Sequence, residues 1–299
     1  MKILTDSESA INYIYNDSKL NLEEFLNTKN VSGRLFRRLY KNKHIYVNGN
    51  FQRKGLELKV GDCITLFMEE ETESIAPEKM DLNIVYEDFD LLILNKDSNI
   101  VVHPTKSHQT NTLSNGIAYY FKERNIKKKI RFVNRLDMDT TGILIIAKNP
   151  FAHQQMALQF ENNSVVKKYL AIVQGVIDKD EGTIDVPIGR EEDKSIKKVV
   201  TEYGQEALTK YRVRERYKKA TLVEVRIYTG RSHQIRVHMN YIGHPIIGDS
   251  LYNDNSALID RQALHSYYLK ASHPRTGKVL EFEASLPEDM KKLINLMKD

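Results

Sequence analysis

One cysteine, Cys63, is all that the 299 residues contain, which excludes an internal disulfide and a multi-cysteine zinc site. It sits among Asp62, Ile64 and Leu66, where a small packed side chain is the expected role. No apolar run approaches the ~18 residues of a membrane span. Residues 1–17 also lack the charged start and long apolar centre of a signal peptide. A cytoplasmic protein without membrane association is therefore expected. Fixed-period repeats and low-complexity tracts are missing too. Hydrophobic residues at 41% and charged residues at 28% describe an ordinary globular composition, and the length suggests about two domains.

The net charge of +5 is unevenly spread. Residues 18–68 carry ten Lys/Arg against four Asp/Glu, whereas residues 69–78 hold five Glu and no basic residue. This pattern divides the chain into an N-terminal extension (1–17), a basic module (18–68), an acidic linker (69–78, with Pro77 near its end) and a larger domain (79–299). The two domains are expected to have separate cores. A concentrated basic module points to a polyanion, most simply nucleic acid. Within it, Leu20, Leu22, Phe25 and Leu26 fit a short amphipathic helix. Ser32 is an N-cap candidate for a second helix, 33–42, with Leu35, Phe36 and Leu39 inward and Arg34, Arg37, Arg38 and Lys41 displayed. His44–Val47 reads as a strand, Asn48-Gly49 as a type I′ turn and Asp62–Met68 as a closing strand.

The larger domain mixes many strands with few helices, an α+β pattern. Leu82–Tyr86 and Leu91–Asn95 suggest a hairpin. Asn149 before Pro150 starts a helix over Phe151–Glu161. Val165–Gln174, Ala220–Tyr228 and Val279–Phe282 read as strands, and Thr276-Gly277 as a turn. Ser232 is expected to cap a helix running through Ile242, with Ile235, Met239 and Ile242 as its apolar stripe. Lys127–Lys129 reads as a solvated basic loop.

The most informative stretch is Asn134 to Asn149. Arg135-Leu136-Asp137 enters a Thr-Thr-Gly turn that feeds the apolar run Ile143–Ala147, which has the length and β-branched content of a buried strand. A rigid scaffold of this kind is what a catalytic carboxylate requires. Taken alone, however, an aspartate before Thr-Thr-Gly more often bonds its own backbone. His233 and His238 invite a metal reading, but an i, i+5 spacing does not stack two ligands on one helical face, so no metal is expected.

Three further pieces accompany Arg135-Leu136-Asp137 in order: Lys167-Lys168-Tyr169, then Thr229 to His238, then Gly243 to Asp249. Together they resemble the RluA family of pseudouridine synthases over residues 18–285. The basic module, with its Val-Asn-Gly and Val-Gly-Asp, resembles the RNA-binding module of ribosomal protein S-four. These resemblances imply a small αβ RNA-binding module followed by a mixed, mostly antiparallel sheet with a central cleft. They also imply isomerisation of chosen uridines in RNA, ribosomal RNA of the large subunit being favoured and transfer RNA the alternative. The family's catalytic aspartate falls on Asp137, its active-site tyrosine on Tyr169 and the arginine pairing with the aspartate on Arg236. Arg135 falls at the flipped-out base, and Arg231, His233 and Gln234 are expected to contact substrate. The family usually has His where Asn134 stands and Ser where Thr141 stands.

The chemistry explains these residue types. Uracil must detach from the sugar at N1, rotate and reattach through C5, losing the C5 proton. A carboxylate beside the ribose can act as nucleophile or as proton acceptor. In a partly buried cleft it needs a cationic partner, which Arg236 can supply through a bidentate pair. Tyr169 can pack against the uracil and, in the family's usual account, assist loss of the C5 proton. No metal or organic cofactor is expected, and the protein is expected to be monomeric. Two readings compete: an RNA-binding protein with an inactive domain, and a hydrolase pairing Asp137 with Asp139.

Overall fold

The structure is a computed structural model that describes residues 7–17, 19–105, 108–192, 195–253 and 257–298. Residues 1–6 of the N-terminal extension, Ser18 at the start of the basic module and Asp299 lie outside them. Among the described residues no helix is long and apolar enough to cross a membrane.

The N-terminal part is a four-stranded sheet packed on two helices. Its strand order is Ala10–Ile14, Cys63–Phe67, Ile45–Val47, Asn50–Phe51. The second helix, Gly33–Lys41, starts where Ser32 accepts the Leu35 N–H at 3.2 Å, and Leu35, Phe36 and Leu39 are buried as its period requires. Asn48 and Gly49 both have positive φ, 51° and 82°, the backbone a type I′ turn demands. The first strand lies in the segment read as an extension. It pairs antiparallel with Cys63–Phe67 and buries Ile11, and Tyr15 just beyond it is fully buried. One short alternating stretch is too little to announce a strand before its partner is known.

The larger part is one ten-stranded, mostly antiparallel sheet. From one edge it runs Glu181–Asp185, Leu208–Arg216, Ala220–Ile227, Val166–Gln174, Leu264–Ser272, Thr141–Ala147, Leu91–Lys96, Ile84–Glu87. Val279–Glu283 also pairs with Leu264–Ser272, and Arg131–Phe132 with Thr141–Ala147. The parallel contact of the sheet joins His265 to Thr141 and Ser266 to Gly142. All seven residues of Thr141–Ala147 are buried. Gly142 is required there: its φ is +114°, and a Cβ would meet the Ser266 carbonyl oxygen at 2.2 Å.

The two cores are not separate. Phe151, at the start of helix Pro150–Glu161, is 1% exposed and belongs to the N-terminal hydrophobic cluster. From the same helix Gln155 donates to the carbonyls of Lys29 and Asn30 at 3.1 Å, and Gln154 accepts from the Ser32 hydroxyl at 2.8 Å. Arg275 donates to the carbonyls of Ser7 and Ala10 while forking onto Asp90 at 2.7 and 2.8 Å. The acidic linker is a strap rather than a loose tether. Glu71 takes a bidentate bond from Arg131, Glu70 pairs with Lys127 at 3.1 Å, and Glu73 accepts the Ile130 N–H. The basic stretch 127–131 is thus its docking strip, and Lys128 within that stretch is buried, not solvated. Charge alone signalled the strap; its partner lay some 57 residues away in sequence.

Candidate active site

Asp137 closes a turn immediately before the buried strand Thr141–Ala147, its carbonyl accepting the Thr140 N–H at 3.1 Å. Three successive carbonyls of that turn are held from behind. The ammonium of Lys96, itself 2% exposed, donates to the carbonyls of Met138 at 2.6 Å, Thr140 at 3.1 Å and Asp97 at 2.8 Å. Arg261 donates to the Asp139 carbonyl at 3.1 Å and forks onto Asp289. Burial pulls the Lys96 pKa down to about 8, against the opposing charges of Asp139 and Asp137. Asp139 accepts the Asn99 backbone N–H at 3.2 Å and so serves the turn.

Arg236, the third residue of helix Gln234–Tyr241, meets Asp137 through Nη1 at 3.1 Å. The expected fork is directed elsewhere. Nε and Nη2 each donate to the carboxylate of Asp249 at 2.7 Å, and Asp249 is fully buried. Burial works against the Arg236 charge, but Asp249 and then Asp137 hold its pKa above the usual arginine range. The Tyr252 ring lies 5.1 Å from the guanidinium and covers it. Asp137 keeps a side chain 21% exposed, whereas that of Arg236 is 9% exposed. One guanidinium therefore binds a buried carboxylate with two nitrogens and an accessible one with the third.

Gly248-Asp249 also turns the chain. Asp249 accepts the Tyr252 and Asn253 N–H groups through its carbonyl. Gly248 has φ +78°, and a Cβ there would strike the Arg261 carbonyl oxygen at 2.1 Å. The signal available beforehand was the place of this dipeptide in the last of the ordered motifs.

A cavity of about 290 Å³ opens in front of Asp137, with Arg135, Lys167, Tyr169, Arg231, His233 and Arg236 on its walls. Tyr169, in strand Val166–Gln174, is 6% exposed. Burial, aided by the charge of Asp137 and opposed by a hydrogen bond with Ser266, pushes its pKa up to about 12. At neutral pH it is a neutral phenol, suited to packing against a base. Arg135 and Arg231 are exposed at the rim. Arg231 Nε donates to the Glu206 carbonyl at 2.9 Å.

His233 caps the site helix in a left-handed conformation, φ 56°, without a side-chain cap bond. Ser232 therefore does not cap, because the left-handed residue after it turns the chain before the helix begins. Tyr252 Oη accepts the Lys198 N–H at 2.8 Å and lies 2.9 Å from His233 Nδ1. Burial lowers the His233 pKa, with Arg236 adding to the effect and Asp137 opposing it. Gln234 lines the cavity, but protein occupies its amide. Its oxygen accepts from Thr229 Oγ1 and the Arg231 N–H, and its nitrogen donates to the Leu208 carbonyl and Thr209 Oγ1. It supports the helix start. His238 is spent on Thr209 and the Val186 carbonyl. Asn134 bonds the strand backbone at Ile143 and Ile145, and Thr141 keeps a hydroxyl 2.8 Å from His265. Both departures from the family pattern thus have a structural partner. Arg34, Arg37, Arg38 and Lys41 line the exposed face of helix Gly33–Lys41 and take no part in the cavity.

The model of the RNA pseudouridylate synthase family matches residues 90–241, which contain Asp137, Tyr169 and Arg236. The chain is 44% identical over 265 residues to the uncharacterized RNA pseudouridine synthase YlyB of Bacillus subtilis, covering 87% of this chain and 88% of that one. It is 39% identical over 235 residues to ribosomal large subunit pseudouridine synthase D of Pseudomonas aeruginosa, covering 74% and 73%. Among solved structures, human RNA pseudouridylate synthase domain containing 4 matches with a TM-score of 0.60 at 25% identity, over 72% of this chain and 93% of that one. The chain therefore belongs to the RNA pseudouridylate synthase family and is an RluA-type RNA pseudouridine synthase, an isomerase.

Proposed function

We propose that the enzyme isomerises specific uridines in ribosomal RNA of the large subunit, with Asp137 acting at the ribose. The arrangement that carries this reading is Asp137 itself: a partly exposed carboxylate on a clamped turn, held by an arginine that a second, buried carboxylate anchors. The target base must leave its stack to reach the cavity, costing on the order of a few kcal/mol. Arg135 at the rim is placed to fill the gap or hold the flanking phosphate. Tyr169 packs against the extruded uracil. Asp137 then bonds C1′ or removes a ribose proton as the N1–C1′ bond breaks, and Arg236 keeps its free oxygen aimed at the sugar. The ring turns and C5 bonds C1′ as the Asp137–C1′ bond breaks or, on the other route, as Asp137 returns the ribose proton; the C5 proton then leaves and N1 takes one up.

The ribosomal target is supported by relatives whose names state that substrate and that cover over 70% of both chains. Mapping pseudouridines in total RNA from cells with and without the gene tests it. A large-subunit position should lose its pseudouridine; loss confined to transfer RNA would move the target there, and identical maps would defeat the reading.

In the same reading the N-terminal module grips RNA phosphates through Arg34, Arg37, Arg38 and Lys41. Deleting residues 1–78 is a poor test, because Phe151 and Arg131 would lose their partners. Changing the four cations to Gln is cleaner. RNA affinity should fall, and the log–log salt slope should flatten by roughly 3–3.5 units, since each of the four lost phosphate contacts is worth about 0.7–0.9. An unchanged slope would remove the module from the RNA interface.

No metal is needed for this redox-neutral isomerisation. Turnover of a short, unstructured RNA should persist in excess chelator, whereas restoration by one specific divalent ion after loss would refute a cofactor-free mechanism.

A further inference from the structure

Lys167 is a buried cation on the cavity wall that the mechanism above leaves unused. It is 8% exposed, yet no carboxylate among the described residues lies within ion-pair distance of it. Its neighbour Lys168 shows the contrast: on the opposite face of the strand it reaches Glu224 at 3.5 Å. Lys167 shares the cavity face with Tyr169, two residues along strand Val166–Gln174. Its ammonium lies 4.9 Å from the Phe160 ring centroid. That ring offers a weak, oriented attraction and leaves the three ammonium hydrogens unassigned. Burial alone pulls the Lys167 pKa down to about 8, with no charged partner contributing.

A buried cation without a counter-ion costs stability, so its placement calls for an anion that arrives with the substrate. Asp137 does not fill that part, because its bond goes to Arg236. The cavity therefore has an anionic corner at Asp137 and a separate cationic corner at Lys167. Breaking the N1–C1′ bond creates such an anion. The bonding pair goes to N1, and its charge spreads over the two carbonyl oxygens of the detached uracil. We propose that Lys167 stabilises this uracil anion by donating a hydrogen bond to a uracil carbonyl oxygen while the N1–C1′ bond is broken. The ammonium keeps its proton throughout. The pair returns to bonding when C5 attaches to C1′, after which C5 releases one proton and N1 takes one up, with no net oxidation. The inference rests on reading the cavity as the uridine pocket. It adds a donor preorganised for charge that exists only along the reaction.

The test compares wild type, Lys167→Met and Lys167→Arg in single-turnover conversion of a saturating RNA. Lys167→Met keeps the length and apolar stem, and its melting curve serves as the folding control. We expect its rate to fall about 10²–10³-fold, the usual cost of one such donor, with RNA Kd changed less than threefold. Lys167→Arg should recover a large part of the loss. A fluorine at C5 of the target uridine makes N1 more acidic, so the leaving anion needs less help. The Lys167→Met deficit, read as disappearance of the substituted nucleoside, should shrink on that RNA. A Lys167→Met rate within threefold of wild type would overturn the proposal. So would a defect seen only in RNA affinity, or a deficit of equal size on both RNAs. If wild type itself fails to turn over, the reading of the pocket has failed instead.

Discussion

Asp137→Asn should bind substrate RNA as tightly as wild type and form no detectable pseudouridine. The amide keeps the shape of the carboxylate and loses both its charge and its basicity, which removes nucleophile and proton acceptor together. The structure gives a specific reason to expect a folded variant. Arg236 keeps its fork on Asp249 when Asp137 is neutralised, so no buried cation is orphaned. The measurement is single-turnover product formation beside RNA binding and a melting curve. Wild-type-like turnover would falsify the role given to Asp137.

Asp249→Asn should behave in the opposite way, damaging the fold as well as the rate. Asp249 is fully buried and accepts two 2.7 Å bonds from Arg236. Removing its charge leaves a guanidinium in the interior with only the partly exposed Asp137 beside it. Breaking one side of a buried pair costs on the order of 3–5 kcal/mol, and Arg236 loses the anchor that aims Asp137. Turnover should drop at least ~10²-fold and the melting temperature by several degrees. A variant with wild-type melting and turnover would show that Asp249 merely turns the chain. The two variants are thus expected to separate the aspartates on one arginine: Asp137→Asn should lose chemistry alone, Asp249→Asn both chemistry and stability.

Where the fold was legible in the sequence, a local rule decided the matter. Ser32 before a 3.6-period stripe, Asn48-Gly49 between strands and Asn149 before Pro150 each state a backbone conformation within a few residues. The run Ile143–Ala147 likewise could be little else than a buried strand. At the site, the resemblance brought Asp137 and Arg236 together, and they do meet. What stayed hidden depends on distance along the chain. Asp249 looks like a turn residue until the helix thirteen positions earlier delivers Arg236 to it. Lys96 looks like the polar end of a strand, and only the returning turn at 138–140 supplies the carbonyls that hold its ammonium. Gln234, read as a hand for substrate, does line the cavity, but only the folded chain shows its amide bonded to the Arg231 N–H and the distant Leu208 carbonyl.

The docking of Phe151 into the N-terminal core has a metric consequence. Strand Thr141–Ala147 starts just after the turn carrying Asp137, and two residues separate its end from helix Pro150–Glu161, which carries Phe151. Seven strand residues span roughly 20 Å at about 3.3 Å each. A rigid rod of that order therefore separates the turn carrying Asp137 from the point where the N-terminal module docks. Were the module to clasp a helical arm of the RNA, the two would act as a caliper, and lengthening that arm by a few base pairs should carry the target out from between the jaws.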